Sequence, residues 1–151
     1  MATRADIVRK AREYLGTPFQ HQGRRKGQAL DCVGLILCVA DDLGLADKEN
    51  VLFQRMDYYD YGPQPIGRFV HEECVKRLNQ KSVLDIKPGD ALTLRIPTDP
   101  CHTAIVAEIP GQGLSMIHCY EGGQAKCIEH RIDERWHNRI VGAFEFPGTE
   151  D

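Results

Sequence analysis

The sequence predicts an α+β fold, in which N-terminal helices pack on a C-terminal antiparallel β-sheet. In the first half of the chain, apolar residues recur with helical spacing. In the second half they form short strand-like runs, and turns rich in Gly and Pro separate these runs. The length of 151 residues is typical of one domain, so residues 1–151 are predicted to form a single domain.

Three helices are predicted in the first half. Thr3 is expected to cap the first helix, and Gly16 to end it, because these residue types favour helix starts and stops. The second helix is predicted over 32–43 and the third over 67–78. The residues of these two helices that are expected to face the core are Leu35, Ile36, Val39, Leu43, Phe69, Val70, Cys74 and Leu78.

Five strands are predicted in the second half, after the turn Lys87-Pro88-Gly89-Asp90. The predicted strands span 91–96, 102–109, 114–120, 126–130 and 139–146. The segments 17–30 and 57–65 are predicted to be irregular loops, and the second of them is rich in Tyr and Asp and contains Gly62 and Pro63.

Composition excludes several classes of protein. The net charge of −3 indicates no general attraction to nucleic acid or anionic membranes. No apolar run is long enough for a membrane span, and the N-terminus lacks the apolar core of a signal peptide, so synthesis in the cytoplasm is expected. Thiols stay reduced there, so the six cysteines are expected to be unpaired, with Cys119 and Cys127 as possible cross-strand neighbours.

The candidate site combines one cysteine with two histidines. Cys32 follows Asp31 at a predicted helix start, where the helix dipole favours a thiolate. His102 and His118 lie in successive predicted strands. They share one face of the sheet only if even-numbered residues pair with even-numbered residues across the hairpin. Cys101, beside His102, is a second candidate nucleophile, but it has no helix dipole to lower its pKa.

These motifs carry a resemblance to a known family. The stretches concerned are Gly16-Thr17-Pro18-Phe19, His21-Gln22-Gly23, Asp31-Cys32-Val33-Gly34-Leu35, Pro88-Gly89-Asp90, His102-Thr103-Ala104-Ile105-Val106, Ile117-His118, Trp136 and Arg139-Ile140-Val141-Gly142-Ala143-Phe144. Together they make the chain similar to the NlpC-type cysteine peptidases of bacterial cell walls, which have a permuted papain-like fold. More narrowly, the chain resembles cell-wall peptidases encoded among phage tail and gene-transfer-agent genes.

The resemblance implies a peptidoglycan hydrolase that cleaves stem peptides without a cofactor. It implies that Cys32 is the nucleophile, His102 the general base and His118 the residue that orients His102. The bond implied joins D-glutamate to a diamino acid. The expected partners are peptidoglycan stem peptides, with phage-like tail proteins as a further candidate partner that would carry the enzyme to the cell wall.

Three further residues are expected to bind substrate. The resemblance implies that Asp31 binds the free amino end of the stem peptide, although a helix cap is an alternative role for it. Phe19 stands where the family usually has Tyr, so a hydroxyl contact is missing. His21 could supply a polar group in its place, or it could be a solvated loop residue.

Other functions stay open at this stage. The chain could be a structural part of a phage-like tail tip that retains the peptidase fold with little or no activity. It could bind zinc through Cys32, His102 and His118, or through Cys101, His102 and Cys119. It could also be an acyltransferase that uses the same thioester chemistry.

Overall fold

The structure, a computed structural model, describes residues 1–53, 68–97, 99, 101–122 and 124–151. The loop predicted at 57–65 lies outside these residues. The helices are α1 (Arg4–Arg12), α2 (Cys32–Asp42), α3 (Phe69–Arg77) and α4 (Glu134–His137). The strands are β1 (Arg24–Arg25), β2 (Ala29–Leu30), β3 (Asn79–Lys81), β4 (Ala91–Leu94), β5 (His102–Ile109), β6 (Gly113–Cys119), β7 (Cys127–Arg131) and β8 (Ile140–Glu145).

Helix α1 begins as predicted and ends early. The Thr3 side chain accepts a hydrogen bond from the Asp6 amide, and the Asp6 carboxylate accepts one from the Thr3 amide, which completes a capping box. The helix was expected to continue to Gly16, but it ends at Arg12. The next amides, including that of Tyr14, bond to carbonyls three residues back, so the chain leaves the helix through a tighter turn.

The residues predicted to face the core are confirmed in α2, but one of those predicted in α3 does not face it. Leu35 and Val39 are fully buried on the inner face of α2. In α3, Val70 is buried, but Phe69 is 41% exposed and the prediction that it faces inward is wrong. A helix turns by about 100° per residue, so Phe69 lies one position off the stripe that Val70 begins.

Within the described residues, six strands form one antiparallel sheet in the order β3-β8-β4-β5-β6-β7. Its five long strands match the predicted ones to within about two residues at each end. The short strands β1, β2 and β3 and the one-turn helix α4 were not predicted. β3 consists of Asn79, Gln80 and Lys81, whose polar side chains give no strand signal, and it is formed by pairing with β8.

The two faces of the sheet carry separate cores. One face packs on α1 and α2 through residues such as Ile105, Ile117 and Phe144. The other face carries Ala104 and Met116, and Trp136 of α4 belongs to the core on that side. Val106 pairs with Met116, so even-numbered residues face even-numbered residues, and the condition for His102 and His118 to share a face is confirmed.

The register between β6 and β7 places two cysteines side by side. Cys119 lies directly opposite Cys127, so the prediction that they are cross-strand neighbours is confirmed. Both are buried against the helix-side core. All six cysteines of the chain lie in the described part, and each is a free thiol.

A buried carboxylate joins the N-terminal helix to the sheet. Asp90 is fully buried and accepts hydrogen bonds from the Arg4 guanidinium at 2.6 Å and the Lys81 ammonium at 2.9 Å. The Lys87 amide donates a third hydrogen bond at 2.9 Å. The preceding Gly89 has φ +94° and sits so close to Arg4 that a β-carbon there would lie 2.8 Å from the Arg4 side chain. These contacts fix the start of β4 to α1.

Among the helices of the described ranges, none has both the length and the apolar character needed to cross a membrane.

Candidate active site

Cys32 is the first residue of α2, and a close approach of two glycines determines its surroundings. A β-carbon on Gly34 would lie 2.3 Å from the carbonyl oxygen of Gly23. The loop before β1 can therefore touch the first turn of α2 only because residue 34 is glycine. The amide of Cys32, at the first helical position, has no acceptor within its own helix and can donate to a ligand.

Asp31 caps this helix. Its buried carboxylate accepts hydrogen bonds from the Gly34 amide at 2.7 Å, the Gln22 amide at 2.8 Å and the Arg24 guanidinium at 2.9 Å. The cap that the sequence offered as an alternative role is therefore present. A role in binding the substrate amino group stays a prediction, and a substrate ammonium would be added to the donors that Asp31 already binds.

The start of β5 holds Cys32 in place. The Thr103 hydroxyl donates a hydrogen bond of 2.8 Å to the Cys32 carbonyl. The Cys32 thiol donates to the carbonyl of Cys101 across 3.9 Å. Because Cys101 and Thr103 flank His102, the structure brings Cys32 and His102 to one location from distant parts of the sequence.

His102 is in turn bonded to His118. The Nε2 atom of His102 lies 2.8 Å from Nδ1 of His118, and the two rings meet edge to face with centroids 5.0 Å apart. Both residues are buried. With Nε2 occupied, Nδ1 is the nitrogen of His102 that can accept a proton from a thiol.

A third histidine, His130 in β7, extends the pair and was not predicted. The Nε2 atom of His118 lies 2.7 Å from Nε2 of His130, whose Nδ1 lies 2.9 Å from the carbonyl oxygen of Arg131. His130 pairs with Met116, two residues before His118 in β6. The strand alternation held a hint of this, because His130 shares the even parity of His102 and His118, but the β6–β7 register could not be read from the sequence.

Aromatic side chains surround the histidines. Tyr120 stacks on His118, with ring centroids 5.0 Å apart and an interplanar angle of 15°. Trp136 packs edge to face on His118 at 5.1 Å and contacts His130 at 5.2 Å. These rings take the place of water around His118 and hold it in position.

Burial keeps the site neutral at rest. It lowers the pKa of His102 to about 3 and that of His118 to about 2, because a buried imidazolium loses its hydration. It raises the pKa of Cys32 to about 12, and the neighbouring Asp31 carboxylate adds to the rise. The sequence predicted a thiol biased toward thiolate, so this expectation is wrong. Loss of hydration and the charge of Asp31 outweigh the helix dipole.

Several solved structures are similar to this one. The NlpC/p60 domain of the peptidoglycan hydrolase SagA is 22% identical with a TM-score of 0.60, and the match covers 96% of this chain and 100% of that one. An NlpC/P60 family protein from Bacillus cereus is 14% identical with a TM-score of 0.63, over 95% of this chain and 40% of that one. An N-acetylmuramoyl-L-alanine amidase from Bacteroides uniformis is 11% identical with a TM-score of 0.53, over 93% of this chain and 96% of that one.

The chain has the NlpC/p60 fold. This confirms the predicted class, an α+β fold of the papain-like type, because these structures match nearly the whole chain. The sheet is larger and the helices are shorter than the sequence suggested. No protein-family model matches the sequence. A comparison with curated protein sequences finds no significant match.

The other predicted substrate residues lie on the loop before α2 of this NlpC/p60 fold. Phe19 is half-buried against the helix-side core, and its amide donates to the Ala125 carbonyl at 2.8 Å. His21 is half-buried in the turn that precedes Gly23. The neighbouring Gln22 amide binds Asp31, so this turn lies beside the start of α2. Substrate binding by Phe19 and His21 stays a prediction.

An apolar pocket adjoins the cysteine between α2 and α3. Its lining includes Val33, which follows Cys32, and Thr103, which follows His102. Cys74 of α3 lines it as well, together with the charged residues Glu73 and Arg77. The position fits a groove for part of a substrate next to the thiol.

Two alternatives proposed from the sequence were Cys101 as the nucleophile and a zinc site, and the geometry favours neither. The Cys101 thiol donates to the carbonyl of Ile96 at 3.0 Å, and burial raises its pKa. Within the part of the chain that the structure describes, no three His, Cys, Asp or Glu side chains are grouped to hold a metal ion. The nitrogens of His102 and His118 bond to each other instead of converging on a common point.

Replacing Asp31 by asparagine tests its effect on the pKa of Cys32. An amide oxygen can still cap α2 at the Gly34 amide, but the amide nitrogen would face the Gln22 N–H and Arg24 would lose its ion pair, so we expect the free energy of unfolding to fall by about 1–3 kcal/mol. The pKa of Cys32 should fall, because the negative charge that opposes the thiolate is gone. The pH dependence of Cys32 alkylation, followed by peptide mass spectrometry, measures this pKa. An unchanged profile would contradict the role assigned to Asp31.

Proposed function

We propose that the protein hydrolyses amide bonds in peptidoglycan stem peptides, with Cys32 as nucleophile, His102 as general base and His118 as the residue that orients His102. The observation that carries the proposal is the contact between the starts of α2 and β5, which brings Cys32 to the His102–His118 pair. The names of two structures with the same fold, a peptidoglycan hydrolase and an N-acetylmuramoyl-L-alanine amidase, support this class of substrate.

The neutral resting state determines the first chemical step. Nδ1 of His102 takes the proton from the Cys32 sulfur as the sulfur attacks the amide carbonyl carbon. The oxyanion that forms can accept a hydrogen bond from the Cys32 amide. His102 then gives the proton to the leaving amine, and a thioester remains on Cys32. Water, deprotonated by His102, hydrolyses the thioester and releases the acid and the thiol.

The bond that we propose joins D-glutamate to the diamino acid, as the sequence resemblance implies. Purified muropeptides of defined structure test this choice, with the products identified by mass spectrometry. We expect a new amino terminus on the diamino acid and a fragment that ends in D-glutamate. Release of an intact stem peptide from N-acetylmuramic acid would instead indicate amidase cleavage before L-alanine, and no cleavage of any muropeptide would overturn the proposed function.

Delivery by a phage-like tail is the second part of the proposal, and it rests on the sequence resemblance. Affinity capture of the full chain with proteins encoded by neighbouring genes tests this part. Recovery of tail components together with hydrolysis would support delivery, whereas recovery of tail components without hydrolysis would favour the structural tail-tip role.

A further inference from the structure

The hydrogen bonds between the three histidines have a defined direction. The set, called the histidine relay here, runs from His102 through His118 to His130 and ends on the main-chain carbonyl of Arg131. A carbonyl oxygen can only accept a hydrogen bond, so Nδ1 of His130 must donate. One main-chain atom therefore fixes the end of a relay that begins at the candidate base.

The hydrogen bond from His130 Nδ1 to the Arg131 carbonyl determines the tautomer of each neutral ring in the relay. With its proton on Nδ1, neutral His130 has an acceptor at Nε2, so His118 must donate from its own Nε2. Nδ1 of His118 is then an acceptor, and His102 must donate to it from Nε2. The lone pair of His102 is left on Nδ1. These tautomers are assigned from the hydrogen-bond partners of each ring.

We propose that His130 is a positioning residue, which orders the protons of the relay so that His102 keeps an unprotonated Nδ1 for the thiol of Cys32. The inference rests on the proposed function. His130 acts through His118 and does not touch the reacting atoms. Catalysis depends strongly on the tautomer of the base, since a base in the wrong tautomer cannot accept the proton.

A second proton on His130 would reverse the relay. Nε2 of His130 would then donate to Nε2 of His118, which would donate from Nδ1 to Nε2 of His102, and the His102 proton would move to Nδ1. The lowered pKa values of His102 and His118 keep those rings neutral in mild acid. His130 is half-exposed, whereas His102 and His118 are buried, so His130 is the ring of the relay that contacts solvent.

The charged and titratable groups around His130 come from several elements. His118 in β6 binds it directly, and Asp133, ahead of α4, is close enough for its charge to interact with His130. Arg131 follows it in β7. From the β8 side, Arg139 lies over the ring of Trp136, which also packs on His130.

Nitrogen-15 NMR of the imidazole rings tests the direction without any need for activity. In the wild-type protein near neutral pH, we expect His102 and His118 to carry their protons on Nε2 and His130 to carry its proton on Nδ1. A His118 ring protonated on Nδ1 would overturn the inference. The result stands even if no muropeptide is cleaved, so failure here is distinct from failure of the proposed function.

Two variants connect the tautomers to turnover. His130→Phe keeps a ring against Trp136 but removes the acceptor, so we expect mixed tautomers at His118 and a kcat about 10- to 100-fold lower with little change in KM. His130→Gln offers an amide oxygen to His118 and should recover most of the lost kcat.

The matched control is His137, an exposed histidine of α4 that lies outside the relay. His137→Phe and His137→Gln should leave kcat, the pH profile and the relay tautomers unchanged. Equal loss of kcat in His130→Phe and His130→Gln, with wild-type tautomers in both, would indicate a packing role and would overturn the proposal.

Discussion

Replacing Cys32 by alanine is expected to lower kcat/KM for muropeptide hydrolysis by at least about 10⁴-fold, because the proposed mechanism forms its thioester on the Cys32 sulfur. The variant should fold normally. Thr103 bonds to the main-chain carbonyl of residue 32, and Asp31 caps the helix through the Gly34 amide, so neither contact needs the thiol. Initial rates on a defined muropeptide, measured together with the melting temperature, check both expectations.

Cys101→Ala is the control for this experiment. Cys101 lies beside His102 and its thiol bonds to a main-chain carbonyl, so its loss should leave turnover close to that of the wild type. The proposed mechanism fails if Cys32→Ala turns over at the wild-type rate. It also fails if Cys101→Ala is the inactive variant, because the nucleophile would then be the rival cysteine.

Replacing Asp90 by alanine is expected to lower the free energy of unfolding by about 3–5 kcal/mol, since it removes one partner of a buried ion pair. Arg4 and Lys81 would keep their ion pairs with Glu145, and Arg4 would also keep its contacts with Asp151 and the Pro88 carbonyl. A loss of this size is a large fraction of the stability of a small domain. Urea denaturation should show a midpoint lower by about 1–2 M.

Asp151→Ala is the matched control, because Asp151 binds the same arginine but its side chain is 79% exposed. Its loss should cost no more than about 1 kcal/mol, as is usual for an exposed ion pair. Similar costs for the Asp90 and Asp151 variants would contradict the anchoring role of Asp90. Activity of Asp90→Ala at a temperature where it stays folded should be retained, since Asp90 is outside the candidate active site.

The α+β class and the start of α2 could be predicted because both depend on local patterns. The spacing of apolar residues distinguishes helices from strands. Asp31 and Gly34 define the first turn of α2 within four residues, and so place Cys32 at the helix start. The short strands β1 and β3 left no such pattern, because each depends on a neighbouring strand for its hydrogen bonds.

The candidate active site could be predicted only in part. Cys32, His102 and His118 could be identified from the sequence as candidates. The β5–β6 register that puts His102 and His118 on one face could be specified as a condition, but the sequence did not show whether it is met. His130 was missed because its place beside His118 depends on how β6 pairs with β7, and a shift of one residue would turn it to the opposite face. Strand pairing is a long-range property that no local pattern fixes.

The protonation states were decided by the tertiary structure. The position of Cys32 at a helix start is visible in the sequence and favours a thiolate. The burial of Cys32 and its proximity to the Asp31 charge arise only when the chain is folded, and they favour the thiol. The sequence thus determined which groups are available for catalysis. Packing decided their partners and their charge, because hydration is lost only when distant segments come together.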